Sequence, residues 1–497
     1  MSQPDLLLYF SDQHDGRATG YAGHPIVETP HMDAMAEAGT AWDTLYTACP
    51  LCVPARATLL TSQLPQRTGV YHNVHNLSSD VPTFLHSLTL AGYETVLCGR
   101  MHFLGADQRH GFTRRIHGDI TSPFGGITEQ NRGVFGHTFG MGGPVNLVGG
   151  GDSPVLAFDR SVVRAALDYL DRDHDHDRPQ AIIVGTYGPH FSYVAPPALF
   201  EKYRERADVP ASWDPEGRDE NPYYDRKRHR KRHATRTDRE EPVTEDIVRA
   251  ARAAYFGMIE EQDRLVGEVR DRWRSFLQRS GRRGVMAYAS DHGDTCGEHT
   301  IFGKQTFYDG STRVPLVMEG AGIAAGRRVL QPASIMDIGP TLCEIAGAEP
   351  LPDIDGVSLL AAATEASPPA TEEPRPIFSE WCEWYEDRPL TGRMVRRDKW
   401  KLMHFAHDAI PDQLFDMESD PEERNNLAAD EPEVAASLGE LLYADWSPEV
   451  EAEQFDRRER QKRIVRRAES ASTPGVDPGD VWEPSPECRR TLPEIMV

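Results

Sequence analysis

Residues 49–61 read CPLCVPARATLLT, and the chemistry available there depends on what Cys52 and its neighbours are for. Cys49 and Cys52 have the spacing of a redox pair or of half a zinc site. A zinc site needs a second close pair, but the other cysteines, at 98, 296, 343, 382 and 488, are scattered. Pro54 suits the first position of a helix, which would set Cys52 at or just before a helix amino end. Free N–H groups and the helix dipole attract an anion at such a place. Arg56, about one turn on, can point at the same anion. Taken alone, the segment equally suits a buried, inert cysteine ahead of a helix.

Three more clusters could join it. In SDHGD, residues 290–294, Asp291 and His292 are adjacent hard and borderline ligands. With Asp12 of DLLLYFSDQ they could hold a divalent cation, Gln13 adding an amide oxygen. GKQTFYDGSTRVP places Lys304 twelve residues after His292, in a chain with seven lysines and none before Lys202. Arg100 and His102 in GRMHF, and His190 in YGPH, add cationic or acid/base groups. A single histidine is ordinarily a satisfied core residue, so the weight rests on the clusters sharing one place.

The surrounding pattern gives them that place. DLLLYF is a short apolar run ending in the polar SDQHDG, as a buried parallel strand ends. YETVLCG before RMHF, QAIIVGTYGPH and RRGVMAYASDHGD repeat the design, while TPHMDAMAEAG and PTFLHSLTLAG carry helix start and stop signals. Strand and helix alternate, and the polar groups fall at strand carboxyl ends, where open α/β sheets bind ligands. Three stretches interrupt: a glycine-rich loop at 121–155, a charged insertion at 203–246 and an Ala/Pro/Glu linker at 363–376. The expected division is a catalytic domain at 1–362, a small α+β subdomain at 377–446 built on a hairpin and a helix, and a charged helical and extended tail at 447–497. No internal repeat is evident.

Composition narrows the function. The chain has 497 residues, 39% of them hydrophobic, and a net charge of −24, which argues against nucleic acid as a partner. RKRHRKRH inside the insertion is flanked by acidic runs and reads as a solvated excursion or lid. No apolar run reaches membrane-spanning length, and the amino end, MSQPDLLLYFSDQHDG, lacks a secretory design. A cytoplasmic protein without disulfides is expected.

In order along the chain, the segments resemble one family. CVPAR followed by ATLLTSQLPQRTGVY resembles the C-x-P-x-R signature of type I, formylglycine-dependent sulfatases. GYETVLCGRMHFLG resembles that family's G-Y-x-T…G-K-x-H-x-G block, and YASDHGDTCGEHTIFGKQTFYDGSTRVPLVM its S-D-H-G-D…G-K…R-V-P block. DIGPTLCEIAGAEPLPDIDGVSLL and QLFDMESDPEERNNLA extend the agreement. The resemblance implies an alkaline-phosphatase-like α/β sandwich around a mostly parallel sheet, with a small carboxyl-terminal subdomain. It implies that Cys52 becomes formylglycine through a formylglycine-generating enzyme, Cys49 being incidental. A divalent cation, usually Ca²⁺, would be held by Asp12, Asp291, His292 and position 52, with Gln13 as the candidate fourth protein ligand. The hydrated aldehyde would attack sulfur, Arg56 orienting its hydroxyls. His102 resembles the base that collapses the sulfated intermediate, and His190 and Lys304 the pair that binds sulfate and protonates the leaving oxygen. Two departures stand out: Ser11 replaces a usual aspartate, and Arg100 replaces the usual lysine, keeping the charge in a forked form.

For the substrate, GRMHFLGADQRHGF and the tail are similar to the choline-sulfatase branch, whose tail helps assemble oligomers, so a homo-oligomer is expected. In SEWCEWYED, Trp381, Trp384 and Tyr385 could cage a quaternary ammonium, stack on a sugar or simply pack under a hairpin. The expectation is a small sulfate monoester, choline sulfate leading. Alternatives are a phosphonate monoester or phosphodiester hydrolase, a carbohydrate sulfatase, and a non-catalytic anion-binding relative.

Overall fold

A computed structural model describes residues 3–121, 144–172, 178–216, 221–228, 243–364 and 374–472. Most of the glycine-rich loop, much of the insertion with most of RKRHRKRH, most of the linker and the last 25 residues lie outside them.

The strands are β1 (Asp5–Asp12), β2 (Gly39–Tyr46), β3 (Glu94–Gly99), β4 (Arg114–His117), β5 (Val148–Gly150), β6 (Gln180–Pro189), β7 (Tyr193–Ala195) and β8 (Gly284–Ser290). There follow β9 (Arg313–Gly320), β10 (Arg327–Val329), β11 (Ala333–Ser334), β12 (Ile377–Tyr385), β13 (Arg388–Arg397), β14 (Trp400–Phe405) and β15 (Gln413–Asp416). The main sheet runs β10-β2-β9-β8-β1-β6-β3-β4, with β11 beside β2. β8, β1, β6, β3 and β4 are parallel to their neighbours in that run, while β9 is antiparallel to both β8 and β2. All the strand ends singled out in the sequence therefore lie side by side, on β8, β1, β6 and β3.

β1 shows why the sheet must be covered twice. Leu7 and Tyr9 enter a core with the helices Pro30–Ala38, Pro154–Asp171 and Glu245–Ser280, whereas Leu6, Leu8 and Phe10 enter a second core with Cys52–Thr61, Phe84–Leu90 and Ile338–Ala346. A strand apolar on both faces buries both, and the result is an α/β/α sandwich. The small subdomain is the antiparallel sheet β12-β13-β14-β15 with the helix Pro432–Tyr443 packed on it. The charged tail forms the helix Pro448–Ser472, which comes back to the catalytic domain: Tyr71 donates to Gln454 at 2.7 Å and Arg458 to the Asn76 carbonyl at 2.8 Å.

Two expectations change. The helix opens at Cys52 itself, so Pro54 is its third residue and not its first. Proline fits there too, because first-turn N–H groups have no intrahelical acceptor. The insertion is also not wholly solvated: Asn221, Tyr223 and Tyr224 are buried, and Tyr223 accepts from the Trp381 indole at 2.6 Å.

Candidate active site

Cys52 opens its helix with its sulfur at the carboxyl edge of the sheet, fully buried. Lys304 Nζ lies 3.0 Å from Sγ, His292 Nε2 3.2 Å and Asp12 Oδ1 3.8 Å. His102 and His190 also favour the thiolate. Burial alone would push the thiol up; Lys304 and then His292 outweigh it and bring Cys52 well below the ordinary cysteine range.

Around this sulfur the charges interlock. Arg56 Nε donates to Asp291 Oδ2 at 2.9 Å and Nη2 to Asp12 Oδ2 at 3.1 Å. Arg100 Nε donates to the same Asp12 oxygen at 2.8 Å, and its ring neighbour Tyr187 lies under the guanidinium, 4.3 Å away. Asp12 thus spends one oxygen on two guanidiniums and turns the other toward Cys52. Burial and then the Cys52 charge raise Asp12, while Arg100, Lys304 and His190 lower it, with a net fall below the carboxylate range. Asp291 goes the other way: burial and then the Asp12 charge raise it. His292 is raised, burial being outweighed by Asp291, while burial and then Lys304 push His190 down to about 4. His102 is lowered by burial and then by Arg100.

Two glycines allow Arg100 to reach the centre. Gly99 has φ +90°, and a Cβ there would meet the Gly185 carbonyl at 2.4 Å; at Gly185 it would meet the Arg100 carbonyl at 1.9 Å. Only hydrogen fits where β3 and β6 part, so the chain turns sharply and sends Arg100 back over β1.

Asp12, Cys52, Asp291 and His292 bring four ligand atoms within 4.8 Å of one another. Gln13 belongs with them. Asp294 accepts from its Nε2 at 2.5 Å, fixing the amide, and its buried Oε1 has no hydrogen-bond partner. An orphaned buried carbonyl oxygen beside two carboxylates and an imidazole is the donor set of a hard divalent cation. The residues present fit such an ion.

All the central residues expected from the sequence converge here. Trp381, Trp384 and Tyr385 pack elsewhere: Trp381 against Tyr223, Trp384 against Phe455 at 6.0 Å, and Tyr385 against Tyr223 and His407 at 5.8 and 5.3 Å. Sequence reasoning missed Asp119 and Asp294. Asp294 was within SDHGD and readable as a strand-end carboxylate; Asp119 follows β4 in the same way, in a segment without a motif.

An α/β sandwich with a buried helix-end cysteine, cationic side chains and a latent cation site at one sheet edge defines a hydrolase of oxyanion esters. The Sulfatase family model matches residues 4–348, and a second, "N-sulphoglucosamine sulphohydrolase, C-terminal", matches residues 297–444. The chain belongs to the sulfatase family, and it is an enzyme of that class. It is 33% identical to a choline-sulfatase of Rhizobium meliloti (strain 1021), covering 93% of this chain and 90% of that one. With human arylsulfatase K it shares 27% identity over 89% of this chain and 82% of the other. Among solved structures, a phosphonate monoester hydrolase of Agrobacterium radiobacter superposes with a TM-score of 0.70 at 23% identity, covering 91% and 96% of the two chains. A 2-O GAG sulfatase gives 0.68 at 23% identity, covering 98% and 96%. Both share the fold. No described helix is long and apolar enough to cross a membrane.

Proposed function

We propose that this sulfatase hydrolyses a small, monoanionic sulfate ester, with choline sulfate as the leading substrate, using formylglycine made from Cys52 by a formylglycine-generating enzyme. The observation that carries the reading is the surround of Cys52, with Lys304 3.0 Å and His292 3.2 Å from its sulfur. Formylglycine at this position supplies the attacking oxygen. A divalent cation, Ca²⁺ by the family's habit, would be held by Asp12, Gln13, Asp291, His292 and position 52, and would polarise oxygens there.

The chain's own residues divide the remaining work. Arg56 and Arg100 are tied to Asp12, Asp291 and Asp119, so their charge is largely matched within the protein. Lys304 forms no carboxylate ion pair among the described residues, which leaves it to meet the sulfuryl group. One free ammonium beside a cation suits a singly charged ester better than a phosphate dianion. Neutral at pH 7, His190 is fixed by its Nδ1 on the Phe191 carbonyl at 2.6 Å and presents the other nitrogen toward position 52. Since the carbonyl can only accept, the ring's proton is on Nδ1, and the other nitrogen is placed to accept a proton or hydrogen bond near the leaving oxygen. The preference for choline rests on the relative named above; Trp381 and Tyr385, being packed, give it no support.

Peptide mass spectrometry of the Cys52 segment and a panel of choline, aryl and sugar sulfates test the reading. A loss of about 18 Da with turnover of a sulfate ester is expected. An unmodified thiol from a host with maturation machinery, or hydrolysis of phosphonate monoesters alone, overturns it.

A further inference from the structure

One buried carboxylate near the sheet edge has no part in that scheme. Asp159 stands on the helix Pro154–Asp171, is fully buried and forms no ion pair among the described residues. Its Oδ1 accepts the Tyr187 N–H at 2.6 Å. Its Oδ2 accepts the Gly188 N–H at 2.8 Å and Gln262 Nε2 at 2.5 Å. Gln262, on the helix Glu245–Ser280, accepts in turn from the Tyr9 hydroxyl of β1 at 3.1 Å. Burying a carboxylate on amides alone, with no cation, is costly, and an apolar residue would fill a helix–sheet contact with less penalty. The backbone explains why a carboxylate is there. Phe10 pairs with Gly185 but Asp12 with Pro189, so β1 advances by two residues where β6 advances by four. Such a bulge takes N–H groups off the ladder, and two of them turn to Asp159. Gly188 permits the approach, since a Cβ there would meet Asp159 Oδ2 at 2.7 Å.

This bulge is the last of β6 before His190. The Tyr187 carbonyl accepts the His190 N–H at 3.2 Å, closing a turn over 187–190. The Tyr187 ring lies against the imidazole, with centroids 4.7 Å apart. Beyond it, His190 Nδ1–H donates to the Phe191 carbonyl at 2.6 Å. The imidazole is therefore set by the turn that carries it, and the turn is gripped from below by one carboxylate. We infer that Asp159 is a positioning residue for His190: its two oxygens fix the Tyr187–Gly188 backbone, and that turn sets where the imidazole stands. What His190 then does rests on the sulfatase reading; where it stands rests on the contacts alone. A side chain that must meet a reacting oxygen needs such support, because small displacements cost large factors in rate.

The test is a double-substitution cycle on the purified full chain, with choline sulfate as substrate. Asp159→Asn keeps the shape but sets an amide donor against a backbone N–H. It should lower kcat about 10–100-fold and leave KM within about threefold, as when a group acting in the transition state is displaced. In a His190→Ala background the same change should lower kcat by less than about threefold, because the residue it positions is gone. Equal losses in the two backgrounds mean that Asp159 supports the fold at large, and they overturn the proposal. Gly188→Ala attacks the same contact from the backbone and decides, in the same cycle, if Asp159→Asn does not fold. A readout free of turnover comes from ¹⁵N-histidine labelling, the His190 ring signals being those missing from His190→Ala. Nδ1 should be protonated and Nε2 lone-pair-bearing in the wild type, and both should move toward the averaged pattern of an exchanging ring in Asp159→Asn. A lone-pair-bearing Nδ1 in the wild type, or signals unchanged in the variant, overturns the proposal. A wild-type chain that turns over no sulfate ester defeats the sulfatase reading, and the ring signals then judge Asp159 by themselves.

Discussion

Two buried clusters of charge sit within this chain, and they are finished differently. Around Cys52, Lys304 faces a sulfur and Gln13 Oε1 lacks a partner. At the seam between the main sheet and the small subdomain, Lys401 lies 2.7 Å from Asp309 and 2.7 Å from Glu423, which also accepts the Asp309 N–H at 2.6 Å. Both lysines are buried, in a chain that uses only seven. The seam pairs its charges with one another, Glu423 Oε1 meeting Lys401 as an ion pair without a well-formed hydrogen bond, and fastens two units. The site leaves valences open, and open valences in a buried place are capacity for a ligand.

The widest separation between them should come from Cys52→Ala. It removes the nucleophile precursor, and kcat/KM should fall about 10⁴-fold or more while the urea midpoint hardly moves. Lys401→Met should do the reverse. Two carboxylates left buried without their cation cost about 3–5 kcal/mol in a urea titration, while activity per folded molecule stays within about threefold. If Lys401→Met left stability intact and removed turnover, the seam would be part of the site and the contrast would be wrong.

How far this contrast was legible in the sequence depends on locality. Asp12, Arg100, His190, Asp291 and His292 each end an apolar run, so periodicity alone put them at one sheet edge, and the strand order β8-β1-β6-β3 bears that out. Cys52 and Arg56 were readable because one helical turn relates them. The antiparallel β9 between β2 and β8 was not, since strand direction is set by long-range pairing that no local pattern records. Asp119 escaped for a similar reason: its partners lie 17 and 19 residues upstream and meet it only through the β3–β4 pairing. Trp381 and Tyr385 illustrate the opposite failure, in which aromatic clustering is equally good for a cage and for a core. Their packing on Tyr223 was hidden because that residue lies in an insertion with no periodic signal.

A divalent cation offers a finer cut. Ligands that bind only the folded chain stabilise it by about 2.7 kcal/mol at a hundredfold excess over Kd. Chelation should lower the melting temperature and turnover together, and readdition restore both. Asp291→Asn should abolish the thermal response, whereas Lys401→Met should keep it on a lowered baseline. A response of equal size in Asp291→Asn would remove the site's claim to the ion.

The smallest effect separates the clusters by pH. In the seam, Lys401 neutralises Asp309, which is held below the carboxylate range, and burial pushes Glu423 up to about 7 against the pull of the same lysine. An unfolded glutamate titrates near 4.5, so between the two values the folded state binds more protons than the unfolded one. Stability from this group is therefore greatest below about 4.5 and is lost as pH rises toward 7, by about 1–3 kcal/mol in all. Urea midpoints at pH 5, 6, 7 and 8 should fall with pH in the wild type and fall less steeply in Glu423→Gln, whatever that variant's absolute stability. The slope is the informative quantity, because it isolates a proton held at the seam from any change in packing. Equal slopes would mean that Glu423 is ionised throughout, with Lys401 serving both carboxylates at once.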